Sequence, residues 1–240
     1  MKKINAVYVS LVALVVAVAA LVMCIICCTC KQSGNVEEVL KAKPELIIEA
    51  MQAYDIKQRE EAMKKVEENL KANAEELNNR AGDGIIANPE GKLVLVEFFD
   101  FSCGYCHKIY PALKEIAAKN PDVKIVAKPM AFLSPVSKYA AQAALAAGEQ
   151  GKFAEVYTAL FETEGRLTEA KVDEALANVG LDVAKAKEDM KSAKVQETMN
   201  AVSELAGKIQ VGGVPTLVFN NKILQTLDAS VIQEAIDAAK

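Results

Sequence analysis

One histidine, His107, is all that this 240-residue chain contains, and tryptophan is absent. A metal site built from several histidines of one chain is thereby excluded. Basic residues do not outnumber acidic ones: 28 Lys and Arg stand against 32 Asp and Glu, for a net charge of −4. A nucleic-acid partner usually requires a basic patch or stripe, so none is expected. Cysteine is missing from residues 31–102 and from residue 107 onward. The body of the chain therefore has no separate structural disulfide, unlike a disulfide-stapled secreted domain. Its one possible internal pair is Cys103 with Cys106. The length allows one ordinary domain plus extra segments.

What is present begins with an apolar run. Met1-Lys2-Lys3 is a short basic start, and residues 4–26 are almost wholly apolar. Such a run can cross a bilayer as a helix, and the basic start favours export of the residues beyond it. Residues 1–30 read as a signal peptide, cut near Ala17-Val18-Ala19, or as an uncleaved membrane anchor. A lipoprotein acylated at Cys24 is the third reading. The length of the apolar run favours the anchor. Cys27, Cys28 and Cys30 read as small apolar residues at a membrane edge or as acylation sites. Every one of these readings puts the body outside the cytoplasm, in the periplasm or outer envelope of a bacterium. That is where disulfides persist.

Residues 31–35 form a polar linker, and residues 36–80 a helical arm broken at Pro44. Within the arm a heptad-like stripe runs through Ile56, Arg59, Met63, Val66, Leu70, Asn73 and Leu77. It can pack on its own domain or pair with a second copy of itself, and both readings stay open. Ala81 to Gly84 ends the arm, and Asn88-Pro89-Glu90-Gly91 is a turn. Lys92 to Phe99 reads as a buried strand, Lys108 to Lys119 as a helix containing Pro111, and Val123 to Lys128 as a second strand. Strand, helix, strand suggests a parallel unit. Residues 136–208 read as helical, interrupted at Gly148–Gly151, Gly165 and Gly180. After the Gly212-Gly213-Val214-Pro215 turn, Thr216–Phe219 and Lys222–Thr226 form a hairpin through Asn220-Asn221. A helix capped by Asp228 closes the chain. The fold class is α/β.

The chemistry lies in Phe101-Ser102-Cys103-Gly104-Tyr105-Cys106-His107. A thiol attacks a disulfide only as the thiolate, so a reactive cysteine needs a pKa below the usual value of about 8.5. Cys103 sits where a strand ends and a helix begins, and a helix N-terminus offers free N–H groups and partial positive charge. His107 and Lys108 add positive charge nearby. Cys106, one turn on, can resolve a mixed disulfide formed at Cys103. A Cys-x-x-Cys can instead hold zinc, which here lacks a second pair of ligands within the body. Pro215 follows Val214 in a loop suited to a cis bond, and the Val214 backbone can pair with an extended substrate. The alternative is an ordinary trans turn. Glu97, inside the apolar strand, can shuttle the proton that Cys106 must lose; alternatively it faces water. No cofactor and no metal enter this chemistry.

The run Val96-Glu-Phe-Phe-Asp-Phe-Ser-Cys-Gly-Tyr-Cys106, the Gly-Val-Pro-Thr loop and the helical stretch between them resemble the DsbA-like branch of the thioredoxin superfamily, over about residues 85–240. The resemblance implies a thioredoxin fold with a helical insertion at about 136–208. It implies formation, isomerisation or reduction of disulfides in unfolded or cysteine-containing exported proteins, reset by a membrane or periplasmic redox partner. It maps the nucleophile to Cys103, the resolving thiol to Cys106, the buried acid to Glu97, the cis-proline to Pro215 and substrate contacts to Val214, Gly104 and Tyr105. The arm resembles that of oligomeric DsbA-like isomerases, implying a homodimer or homotrimer. Gly104-Tyr105 replaces the Pro-His of strong oxidases, while Val before Pro215 is common among oxidases, so the direction of catalysis is left open.

Overall fold

The computed structural model describes residues 14–24 and 36–240. The linker 31–35, the cysteines at 27, 28 and 30, and part of the apolar run 4–26 lie outside the described residues. Residues 14–24 form a helix, α1, whose apolar side chains are exposed. Among the described residues no helix is long and apolar enough to cross a membrane.

The chain divides into two compact units, Met1–Ala62 and Met63–Lys240. The first holds α2 (Val36–Ala42) and most of α3 (Glu45–Ala72). Lys43 and Pro44 separate these helices, because proline supplies no amide for a helix interior but suits a helix start. Along this part of α3 the side chains of Ile47, Ile48, Met51, Tyr54 and Ile56 are exposed.

The second unit begins with the end of α3 and includes α4 (Ala74–Asn78). Asn73 ends α3 with φ −110° and ψ 21°, and its side-chain amide donates to Asn69 O at 2.8 Å. The heptad stripe is thereby split. Val66, Leu70 and Leu77 pack against Val96, Phe98, Val202 and Leu205, while Ile56 and Met63 stay exposed.

A five-stranded sheet runs in the order β1 (Gly84–Ala87), β3 (Val123–Pro129), β2 (Leu93–Phe99), β4 (Thr216–Phe219), β5 (Lys222–Leu224). β2 and β3 are parallel; β1, β4 and β5 join antiparallel to their neighbours. Between β2 and β3 lies α5 (Gly104–Lys119), which keeps Pro111 inside it. Side chains alternate across a strand, so Val96 and Phe98 meet α4 and the helix that holds Val202 and Leu205, while Leu95, Glu97 and Phe99 point to the other face. β1 is an edge strand where the sequence indicates only the end of a helix. It is short and carries Gly84, where a Cβ would lie 2.0 Å from Phe153 Cζ.

From β3 to β4 the chain passes through α6 (Pro135–Gly148), α7 (Phe153–Phe161), α8 (Glu169–Asn178), α9 (Val183–Asp189) and α10 (Ala193–Lys208). The break between α9 and α10 has no glycine or proline. Ser192 makes it, by accepting from Val195 N at 3.3 Å as an N-cap. In the hairpin turn Asn220 and Asn221 take φ of 49° and 57°, the region asparagine tolerates. Asp228 caps α11 (Ala229–Asp237), accepting from Ser230 N at 2.8 Å.

Among the described residues one ion pair is buried on both sides. Lys128 of β3 meets Asp83, with side chains 0% and 4% exposed. Lys128 Nζ also donates to Glu76 O at 3.1 Å. Burial pushes Lys128 toward a lower pKa and Asp83 toward a higher one, and the attraction between them opposes both shifts.

Candidate active site

β2 delivers Asp100, Phe101 and Ser102 into a tight turn. Cys103 N donates to Asp100 O at 2.9 Å, and Ser102 N donates to the Asp100 carboxylate at 2.8 Å. Cys103 is then the N-cap of α5, and its carbonyl accepts from His107 N at 3.1 Å. Cys106 falls in the first helical turn, fully buried. Both are free thiols.

The Cys103 side chain makes no cap bond to its own helix. Its Sγ donates instead at 3.4 Å to Val214 O, the carbonyl oxygen of the cis Val214–Pro215 bond. Cys103 is itself only 6% exposed. Burial pushes the Cys106 thiol far above the ordinary cysteine range; a backbone hydrogen bond at Asp100 opposes this, and the charge of Glu97 adds to it.

Glu97 does not face water. It is 0% exposed, flanked by Ala127 on β3 and Leu217 on β4. Tyr157 of α7 donates to its Oε2 at 2.6 Å, and its Oε1 has no partner among the described residues. Burial raises its pKa to about 7, against the Tyr157 hydrogen bond, which lowers it. Tyr157 stands in an aromatic cluster with Phe99, Phe101, Tyr110, Phe153 and Phe161.

His107 is held between two backbone carbonyls. Its Nδ1 lies 3.1 Å from Phe161 O and its Nε2 lies 2.9 Å from Phe101 O. Lys108 Nζ stands over the Tyr105 ring at 4.9 Å. Tyr105 is 62% exposed, and Gly104 has open space where a side chain would be. A groove of about 480 Å³ opens beside Ser102 and Gly104, walled by Leu133, Leu160, Leu167 and Arg166.

Cys103, Cys106, Glu97, Val214 and Pro215 thus converge, while Tyr105 and Lys108 form the outer surface. Two contributors were not foreseen. Tyr157 lies 60 residues from Glu97 in sequence, and nothing local marks it. Asp100 is buried and binds two segments: its Oδ1 accepts from Ser137 Oγ at 2.6 Å, and its Oδ2 from Phe132 N at 3.1 Å and Leu133 N at 3.0 Å. An aspartate just past a strand, ready to accept from the amide of residue 102, is the signal that could have found it. Among the described residues no group of three or more His, Cys, Asp or Glu side chains is placed to hold a metal ion.

Residues 94–237 match the DSBA-like thioredoxin domain. The chain belongs to this family of thiol–disulfide oxidoreductases. A thioredoxin-like oxidoreductase from Silicibacter pomeroyi DSS-3 is 31% identical; the match covers 69% of this chain and 96% of that one, with a TM-score of 0.66. Proteus mirabilis ScsC in a transitional conformation is 25% identical over 85% of this chain and 92% of its own, with a TM-score of 0.65. The thiol:disulfide interchange protein DsbA of Azotobacter vinelandii is 28% identical over 142 residues, 55% of this chain and 66% of that protein. Sodium/proton antiporters match too, and the chain spans only 21% of the length of the Salinispora arenicola one.

Proposed function

We propose that the DsbA-like body is a thiol–disulfide exchange enzyme acting on exported, cysteine-containing proteins. Cys103 is the nucleophile, Cys106 the resolving thiol, and Glu97 the group that takes the proton from Cys106. The observation that carries this reading is the stack of Val214 O, Cys103 Sγ, buried Cys106 and buried Glu97 at one helix N-terminus. Ionisation of Cys103 removes its hydrogen from Val214 O, and the sulfur then becomes an acceptor for the free amides of α5. An extended substrate pairs with the Val214 backbone while its sulfur meets Cys103. Gly104 and Tyr105 contact it from the exposed side.

Reduced protein treated with iodoacetamide near neutral pH is expected to label Cys103 at least about 100-fold faster than Cys106, since the thiolate is the reactive form. Mass mapping of the two cysteines on separate variants checks this. Equal and slow labelling of both would sink the reading.

Residues 4–26 export the body to the periplasm or outer envelope, as a cleaved signal peptide, an uncleaved anchor or a lipidated N-terminus, and a redox partner there resets the dithiol. The arm joins two or three copies. Ile47, Met51 and Tyr54 fall on one side of α3 at spacings of four and three, and all are exposed. The variant Ile47→Glu with Met51→Glu is expected to sediment as a monomer. It should keep dithiol oxidation and lose rescue of scrambled ribonuclease. An unchanged sedimentation coefficient would make the arm a spacer rather than an assembly element.

A further inference from the structure

The Glu97 carboxyl, fully buried, has one oxygen engaged and one without a partner among the described residues. Oε2 accepts from the Tyr157 hydroxyl at 2.6 Å, and Oε1 is the free one. Ala127 and Leu217, on either side in the sheet, have no polar side-chain atoms. Lys128, the cation nearest in sequence on β3, is spent on Asp83 and lies on the opposite face, since neighbours on a strand alternate. The titratable groups facing Glu97 are therefore Tyr157 from α7 and Cys106 from α5, with Cys103 and Tyr110 beyond them. A carboxyl rotates freely about its last bond unless something holds it. Here the holder belongs to the helical insertion rather than to the sheet.

We propose that Tyr157 is the positioning residue of the proton relay: its hydroxyl fixes the Glu97 carboxylate and leaves Oε1 to receive the Cys106 proton. This rests on the role given to Glu97 above. In a mixed disulfide between Cys103 and substrate, the Cys106 thiol gives its proton to Oε1. The thiolate attacks Cys103 Sγ, the Cys103–Cys106 bond forms, and the bond to substrate sulfur breaks. The substrate leaves as a thiolate carrying the electron pair, so the dithiol is oxidised as the substrate is reduced. Substrate oxidation is the reverse, with Glu97 returning the proton. Tyr157 moves no proton; it keeps the acceptor ionised and aimed.

A hydrogen bond donated to a carboxylate stabilises the charged form, so removing it makes Glu97 harder to ionise. Glu97 accepts a proton only above its own pKa, raised to about 7 by burial. The resolving step should therefore speed up through that region.

The test uses the full chain carrying glutathione disulfide-bonded to Cys103, formed in acid and jumped to values between about pH 5 and 9. Glutathione release is measured by acid quench and mass analysis. In Tyr157→Phe, which keeps the ring in its aromatic cluster, the rise is expected about one pH unit higher than in wild type, the size of one charge-assisted hydrogen bond. Release is then about tenfold slower near pH 6 and equal near pH 9. In Glu97→Gln the rise is expected to vanish, and adding Tyr157→Phe should change nothing further. A Tyr157→Phe profile that superimposes on wild type, or that drops equally at every pH, overturns the role of Tyr157 while leaving Glu97 in place. A Glu97→Gln profile that keeps its rise overturns both.

Discussion

Cys106→Ser will leave Cys103 able to attack disulfides and unable to let go of them. Cys103 opens a substrate disulfide by forming one S–S bond and breaking another, with one substrate sulfur leaving as thiolate. Release then needs a second sulfur nucleophile one helical turn away, and a serine hydroxyl is not one. Mixed disulfides between Cys103 and substrate should accumulate, visible as heavier species on non-reducing gels that collapse on reduction. Turnover should fall to the rate of uncatalysed exchange. Cys103→Ser should yield no such species at all. The asymmetry comes from position, since Cys103 caps α5 and contacts Val214 O while Cys106 lies fully buried beneath it. Catalysis of multiple turnovers by Cys106→Ser at the wild-type rate would remove Cys106 from the mechanism.

Asp83→Asn is expected to lower stability more than any surface change. It removes the carboxylate charge that balances the ammonium of Lys128, whose side chain is 0% exposed, and leaves it neutral acceptors such as the Glu76 carbonyl. Removing one partner of a buried pair costs about 3–5 kcal/mol. For a body of this size the midpoint of thermal unfolding should fall on the order of 10 °C. Replacing both together, Asp83→Leu with Lys128→Met, should recover most of the loss, because the desolvation of two charges is removed along with their attraction. The pair is on the face of β3 away from Glu97, so the pH profile of the dithiol should not move. Calorimetry of the three proteins checks this. A midpoint for Asp83→Asn within about 2 °C of wild type would show that the pair contributes little.

What the sequence discloses here is what short-range chemistry encodes. The run Leu93 to Phe99 is legible as a strand because it is continuous, apolar and rich in strand-forming residues. The cysteines are legible because a strand end followed by a helix start places them at an N-cap. Asp228 and Asn220-Asn221 carry their own turn geometry. What escapes is set at long range. Whether Leu70 and Leu77 meet another copy or the sheet cannot be read from a heptad that serves either; Asn73, by ending α3, sends Leu77 onto the sheet. β1 is a strand only because β3 offers it an edge, and Gly84 fits there only because Phe153 needs the room. Glu97 could be suspected of burial from its apolar neighbours, but not of having Tyr157 as its partner.

Among the contacts that bind the insertion to the segment bearing the dithiol are Tyr157 to Glu97, Ser137 to Asp100, and His107 to the Phe161 carbonyl. They span 60, 37 and 54 residues of sequence. Contacts of such separation form after local ones, because the intervening loop must first close. A chain emerging from synthesis as far as β3 already holds both cysteines, yet its acid has no anchor and its turn no clamp. The dithiol thus matures with the last helices to dock rather than with the strand and helix that carry it.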